Sequence, residues 1–251
     1  MKRPMTRWII YALLGLVAFT GFAVALAPAR LVYDAAARPA GIEAGLVTGT
    51  VWNASARRVR AGGVALNQVQ ARLRPGPLLT GRAVFDVTLA DPALRGAGRV
   101  TLSAGEVRFE NAAGVIALDA IPAFAAADLP PGESAQVEIE RLVLGPQGAC
   151  REAQGRMTSA ALASAGERYG ADLPIVTADL ACAGDAVALD LSGRSAELAL
   201  TGRVRFVAGG PSWRIEAETE DRDVIAALSL LGFDQEGRRF VAVGGSEETA
   251  P

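Results

Sequence analysis

The stretch Ala83–Leu89, AVFDVTL, decides the fold class of this chain. Its side chains alternate between an apolar set and a more polar set: Phe85, Val87 and Leu89 against Val84, Asp86 and Thr88. A repeat of two residues is typical of a β-strand that buries one face and exposes the other to water. Such strands belong mainly to antiparallel sheets, because those sheets can leave one face solvated.

The same alternation recurs along the chain. It is found in EVRFE (106–110), QVEIER (136–141), RVRFV (203–207) and SWRIEAETE (212–220). Turn-forming residues separate these stretches: Pro75-Gly76-Pro77, Asp91-Pro92, Gly96-Ala97-Gly98, Pro130-Pro131-Gly132 and Gly209-Gly210-Pro211. We interpret nearly all of the glycines as turn residues. The pattern predicts a mainly β chain, folded as a meander-like curved antiparallel sheet or as a sandwich.

Two short helices are predicted within the β region. The first is GRMTSAALASAGERYG (155–170), which is rich in alanine and ends on a glycine. The second is DRDVIAALSLLGF (221–233), in which Gly232 is a stop signal. One face of this helix is apolar and consists of Val224, Ala227, Leu228 and Leu231. The proline-rich stretch 119–134 divides the strands into two groups and can separate two lobes.

The N-terminal segment Trp8–Ala27 contains no charged residue. At 1.5 Å per residue it is about 30 Å long as a helix, which matches the hydrocarbon thickness of a membrane. Basic residues in segment 1–7 place that segment in the cytoplasm by the positive-inside rule. The sequence therefore predicts a single-pass inner-membrane helix at 8–27, a periplasmic β domain at 28–245 and a flexible tail at 246–251.

A cleaved signal peptide is the alternative interpretation of the same segment. Ala25-Leu26-Ala27 provides the small residues of a cleavage site. The apolar run is longer than that of ordinary signal peptides, and Pro28 would follow the cut. Both observations favour an uncleaved anchor.

Composition excludes several functional classes. The chain has 251 residues, a net charge of −2 and no histidine. Residues 1–30 hold four of the 25 basic residues and no acidic residue, so the remainder is more acidic than the whole chain and does not suit a nucleic acid. The lack of histidine excludes His-based triads and His-ligated metals, and no phosphate-binding loop is present. We predict no enzymatic activity, and no catalytic, cofactor-binding or metal-binding residues.

The chain has two cysteines, Cys150 and Cys182. In an oxidising compartment a single pair favours a disulfide. In the chain-entropy model, closing a loop of about 33 residues contributes about 3–4 kcal/mol. Two buried free thiols are the alternative.

The stretch VTGTVWNA (47–54) follows the predicted anchor. We interpret it as the first strand of the sheet, with Trp52 either packed in the core or in contact with a partner or lipid. The basic run Arg57–Arg60 has two interpretations, a solvated strand face or a contact with an acidic partner or lipid headgroups.

Several short motifs occur in a recognisable order after the N-terminal segment. They are Gly49-Thr50-Val51-Trp52-Asn53, then Cys150 with Ala153 and Gly155, then LACAGD around Cys182, then Leu230-Leu231-Gly232-Phe233. In this order the chain resembles the type II secretion system protein N (GspN) family. The chain departs from the family at Ala54, where members often have glycine.

The resemblance implies a mainly β periplasmic protein, anchored in the inner membrane, that acts as an accessory or scaffold component. Such a component supports the export of folded proteins across the outer membrane. The implied partners are subunits of the inner-membrane platform or of the outer-membrane pore. The resemblance brings no catalytic or cofactor residues.

A lipid-handling protein is the alternative function. The chain is similar to AsmA-like and lipopolysaccharide-bridge proteins in combining one N-terminal helix with a curved antiparallel sheet. A continuous apolar groove lined by valine and leucine would favour this alternative.

Overall fold

A computed structural model describes residues 4–34, 38, 42–61, 64–120, 132–207, 210–230 and 232–245. The helices are α1 Pro4–Ala25, α2 Ala29–Val32, α3 Pro75–Leu78, α4 Ala161–Tyr169 and α5 Arg222–Leu230. The first seven strands are β1 Glu43–Thr50, β2 Asn53–Ala61, β3 Val64–Arg74, β4 Ala83–Ala90, β5 Leu94–Ser103, β6 Glu106–Ala117 and β7 Ser134–Leu144. The other seven are β8 Cys150–Ser159, β9 Val176–Ala183, β10 Ala186–Arg194, β11 Ala199–Val207, β12 Gly210–Glu218, β13 Asp234–Glu236 and β14 Arg239–Gly245.

All fourteen strands belong to one antiparallel sheet. The strands β1 to β12 follow each other in chain order, and β14 then lies between β12 and β13. The predicted mainly β meander is confirmed, and the sandwich alternative is wrong because the described strands form one sheet. Strands β6 and β7 pair directly across the proline-rich stretch. Residues 121–131 lie outside the described part of the chain, and the division into two lobes stays a prediction.

The pairing register keeps apolar residues together across the sheet. Residues directly opposite each other on antiparallel strands point to the same face. One such row takes a residue from every strand except β13, and we call it the apolar row: Val47, Ala56, Val69, Leu89, Gly96, Gly114, Val137, Met157, Ala178, Leu191, Gly202, Ile215 and Ala242. No member of this row carries a polar side chain.

The neighbouring row, one residue along each strand, points to the opposite face. We call it the polar row: Thr48, Ser55, Gln70, Thr88, Ala97, Ala113, Glu138, Arg156, Asp179, Asp190, Arg203, Arg214 and Val243. Ion pairs join neighbouring strands on this face, as between Arg156 Nε and Asp179 Oδ1 at 2.9 Å. Such exposed pairs contribute about 0–1 kcal/mol each, so the polar face provides solubility more than stability.

Several glycines lie inside strands, which corrects the interpretation of nearly all glycines as turn residues. Gly96-Ala97-Gly98 is part of β5 and not a turn, and Gly96 pairs with Gly114 of β6. A Cβ at Gly114 would come within 2.6 Å of the Arg95 carbonyl oxygen. The strands approach too closely here for any side chain, which is why both positions in the apolar row are glycine.

The short helices are confirmed with one changed boundary. The helix predicted at 155–170 begins only at Ala161, because Gly155–Ser159 belong to β8 and pair with β7. It ends at Gly170, whose φ of 72° is the left-handed conformation that glycine favours. The second helix spans Arg222–Leu230, and Asp221 Oδ1 caps it by accepting hydrogen bonds from two backbone N–H groups. Leu231 of its predicted apolar face lies outside the described residues.

Buried apolar side chains form two clusters beside α4 and α5 and also occur at separate positions in the sheet, such as Val59, Val84 and Val143. Val224 and Leu228 of α5 pack with Ala217 and Phe240 of the sheet. A smaller cluster joins Ala161 of α4 to residues before and within β7. Other large side chains of the apolar face are exposed, as at Leu102 and Phe206, or half-buried, as at Val69, Val87, Leu89, Val137, Ile139, Leu189 and Val204. The two helices therefore cover one part of the apolar face and leave the rest open among the described residues.

Helix α1 precedes the sheet and contains one charged residue, Arg7. Large apolar side chains of its second half, such as Phe19 and Phe22, are exposed. In the described residues, no helix meets the combination of length and apolarity that crossing a membrane requires. The transmembrane helix at 8–27 stays a prediction.

Asp91 is a buried carboxylate at the turn between β4 and β5, with an exposed fraction of 2%. It accepts hydrogen bonds from the backbone N–H groups of Asn67 and Ala93. The β3–β4 ladder begins at Val69, and the hydrogen bond from Asn67 N–H holds the preceding part of β3 to this turn. These hydrogen bonds lower the pKa of Asp91, and the bond from Asn67 has the largest effect.

We expect Asp91→Ala to lower the free energy of unfolding by about 1–3 kcal/mol, because two backbone donors lose their acceptor. Urea denaturation monitored by circular dichroism measures this. The control is Asp185→Ala, because Asp185 is exposed and its side chain has no hydrogen bond in the described structure. An equal loss of stability in the two variants would contradict the assignment.

The same carboxylate makes stability depend on pH. The folded-state pKa of Asp91 is lowered, so its stabilisation is complete above the ordinary aspartate pKa of about 3.9 and is lost as pH falls through the lowered value. Denaturation at a series of acidic pH values should therefore show a shallower acid loss in Asp91→Asn than in the wild type. Identical pH profiles would contradict this role.

Candidate functional site

A disulfide joins Cys150 at the start of β8 to Cys182 near the end of β9, as the cysteine pair predicts. The two Cα atoms are 5.6 Å apart. Strands β8 and β9 are paired by ladder contacts only from Arg156–Ser159 to Val176–Asp179. The disulfide lies beyond the last of these pairs, so it holds the two halves of the sheet together where the ladder is interrupted.

Removing either cysteine should destabilise the protein by about 3–4 kcal/mol, the value for closing a loop of this length. Cys150→Ala, Cys182→Ala and the double variant should be about equally stable, because each change removes the same bond. Chemical denaturation of the three purified proteins tests this. Additive losses in the double variant would show that the cysteines stabilise the fold independently.

Trp52 lies in a two-residue turn and not in a strand. The stretch 47–54 is therefore a hairpin that joins β1 to β2, which corrects its interpretation as the first strand. Trp52 is half-buried, and its carbonyl accepts a hydrogen bond from Leu73 N at 3.2 Å. The turn is therefore tied to β3. The two roles predicted for the Trp52 side chain, core packing and partner contact, stay predictions.

The basic run lies on β2, next to the edge of the sheet. Arg57, Arg58 and Arg60 are exposed, and none of them has an ion pair within the described ranges. Arg58 has a φ of 52°, and its guanidinium lies beside Gly45 of β1. Many arginines on the middle and last strands, in contrast, have a carboxylate within 4 Å. The three β2 arginines have no carboxylate of the described residues within 4 Å, although Glu43 of β1 is the register partner of Arg60. We call Arg57, Arg58 and Arg60 the arginine cluster.

A polar cleft of about 890 Å³ lies at the other end of the sheet. It is formed by the β10–β11 connection, the segment after β12 and the β13–β14 hairpin. Its charges pair with each other: Arg239 Nε lies 2.7 Å from Glu218 Oε1, and Arg238 pairs with Glu220. Five acidic side chains and three arginines line the cleft, so it keeps a surplus of two negative charges after these pairs form.

The described residues contain no group of three or more histidine, cysteine, aspartate or glutamate side chains that could hold a metal. The sequence-predicted site residues are also far apart in the sheet, with Trp52 between β1 and β2 and the cysteines on β8 and β9. What the fold does bring together is the apolar row and its flanking positions. This apolar face is the principal candidate for a functional surface.

A family model for the type II secretion system, protein N, matches residues 40–242, which is more than half of the chain. The chain belongs to the type II secretion system protein N family. The resemblance of its motifs to that family is thereby confirmed. No curated protein and no solved structure gives a significant match.

Membership of this family makes the chain a component of type II secretion that interacts with other secretion subunits. The matched region begins before β1 and ends within β14, so it includes nearly the whole sheet. The apolar row runs through the matched region from its first strand to its last residue, Ala242. Alternation in the sequence signals five strands of this row, β4, β6, β7, β11 and β12, but the alignment of the strands with one another depends on their register.

Proposed function

We propose that this protein is an accessory or scaffold subunit of the type II secretion system, anchored in the inner membrane with its sheet in the periplasm. The family match over residues 40–242 is the observation that carries the proposal. A disulfide between Cys150 and Cys182 is consistent with the oxidising periplasm. The protein supports export of folded proteins across the outer membrane by contact with other subunits and not by catalysis.

Helix α1 is the proposed membrane anchor. The segment Trp8–Ala27 has no charged residue, and residues 1–7 contain the basic side chains that favour a cytoplasmic N-terminus. The exposed apolar side chains of α1, such as Leu13, Phe19 and Phe22, are unfavourable in water and would be stabilised in a bilayer.

The outer edge of β14 is the proposed contact with another subunit. On the opposite edge of the sheet, Tyr33 already takes part in hydrogen bonds with Ile42 and Ala44 at β1. At the β14 edge, β13 pairs only with Arg239–Val241. Within the described chain, Ala242–Gly245 has no strand on its outer side, and a strand from a partner can pair there.

The register identifies which backbone groups are available at this edge. A two-residue turn at Gly237 and Arg238 makes Glu236 and Arg239 a hydrogen-bonded pair. Hydrogen-bonding direction alternates along an antiparallel strand, so Val243 has its N–H and C=O pointing outward, as Arg239 and Val241 do. Its side chain is 67% exposed.

We expect Val243→Pro to impair secretion, because proline removes the outward N–H without removing a hydrogen bond to β12. The measurement is the ratio of extracellular to cell-associated amounts of a secreted protein, in a deletion strain complemented with each variant. Val243→Thr is the matched control because it keeps the N–H. Equal secretion with the two variants, at equal protein levels, would rule out a strand contact at this position.

The anchor has an independent test. The full chain should remain in the membrane pellet after carbonate washing. A C-terminal reporter enzyme that requires an oxidising compartment should be active. A soluble periplasmic protein that lacks residues 1–27 would instead establish the signal-peptide alternative.

A further inference from the structure

We propose that the apolar face binds the acyl chains of an anionic phospholipid, with the headgroup at the arginine cluster. This inference does not rest on the secretion role, since it follows from the two faces of the sheet and the distribution of charge. It assigns the apolar face a class of ligand.

The apolar row is continuous and is more than long enough to receive an unbranched acyl chain across several strands. Neighbouring strands in a sheet are about 4.8 Å apart, so a row through thirteen strands extends for roughly 58 Å. Half-buried Val69, Leu89 and Val137 lie along it, and α4 and α5 cover only its later part. An extended apolar surface of this kind is unstable in water without an occupant.

The chemistry of the row favours acyl chains over a polypeptide strand. The row offers no side-chain donor or acceptor, and the backbone groups of its inner strands are used in the sheet ladder. An extended peptide on this surface would leave its own N–H and C=O groups unpaired, which is costly when they are removed from water. An acyl chain carries no such groups.

The arginine cluster indicates the charge of the headgroup. Ala54 and Ala56 of β2 lie on the apolar face. Arg58 and Arg60 follow on the same face, whereas Arg57 points to the polar face. In the middle of the sheet, by comparison, Asp86 lies between Arg74 and Arg99, at 2.7 Å and 3.5 Å from their Nε atoms. Unpaired arginines that continue from an apolar surface match a molecule with apolar chains and an anionic phosphate headgroup.

Photo-crosslinking of the full chain in living cells tests the proposal. The residue p-benzoylphenylalanine replaces Val87 or Val204 on the apolar face, and Thr88 or Arg205 on the polar face as matched controls one residue away. Cells are grown with radioactive phosphate, irradiated, and the purified protein is separated under denaturing conditions. Mass spectrometry then gives the mass of each adduct.

We expect labelled adducts with phospholipid masses from Val87, two strands from the arginine cluster, and none from Thr88 or Arg205 on the polar face. Val204 is nine strand spacings from the cluster, roughly 43 Å, which is beyond the length of one acyl chain, so it is a distant control and should give no adduct. Adducts to a protein, to a second copy or to the chain itself in place of phospholipid would overturn the proposal. Equal labelling from both faces would also overturn it, because it would indicate nonspecific contact with a membrane. Circular dichroism of each variant confirms that the substituted proteins are folded.

The headgroup site has a separate test. Changing Arg58 and Arg60 together to Glu should lower the labelled adduct from Val87 by about tenfold, since charge attraction is replaced by repulsion. The control changes Arg82 and Arg222 to Glu, which alters the net charge equally at other exposed positions. An equal decrease in the two double variants would contradict a headgroup site at the cluster. Secretion is measured separately in the same strains, so that a failure of the lipid proposal can be distinguished from a failure of the secretion proposal.

Discussion

The structure depends on one constraint, the register that aligns apolar positions across a single-layer sheet. A shift of one residue in any strand would move its apolar side chains to the polar face. The chain maintains this alignment from Val47 to Ala242, although β-bulges interrupt the ladders around β6, β7 and β8. Where the β8–β9 ladder becomes short, the disulfide between Cys150 and Cys182 holds the sheet together. The ladder and this one covalent link take the place of a two-layer core.

Strands β4, β6, β7, β11 and β12 were predictable because each carries its own alternation, and a period of two is a local signal. The disulfide was predictable because the chain has only two cysteines. The two faces as continuous surfaces were not predictable, since they depend on pairings between separate segments. Glycine was the main source of error: at Gly96 and Gly114 close approach of two strands requires it, and from the sequence such a glycine resembles one in a turn. The alanine-rich stretch after Gly155 suggested a helix, but residues Gly155–Ser159 pair with β7 and form part of a strand.

The proposed functions use different parts of the same sheet. Family membership makes the chain a component of type II secretion, and the open part of β14 is suited to pairing with a neighbour. The apolar face has no role in that contact. Helices α4 and α5 cover only part of the apolar face, and we propose that a lipid covers part of the rest. A subunit of this kind could join secretion subunits at one edge while binding membrane lipid on its face, with the polar face and its ion pairs in water.

The central claim is that strands far apart in the chain present their apolar residues in phase on one face. The most direct test attaches a nitroxide label to each residue of Ala83–Ala90 and Ala199–Val207 in turn. The measurement is the accessibility of each label to a polar nickel complex, determined by electron paramagnetic resonance. The account predicts a two-residue oscillation in both strands, with maxima at Asp86 and Thr88 and at Thr201, Arg203 and Arg205. An absence of oscillation, or maxima at Val87 and Val204, would contradict a continuous apolar face.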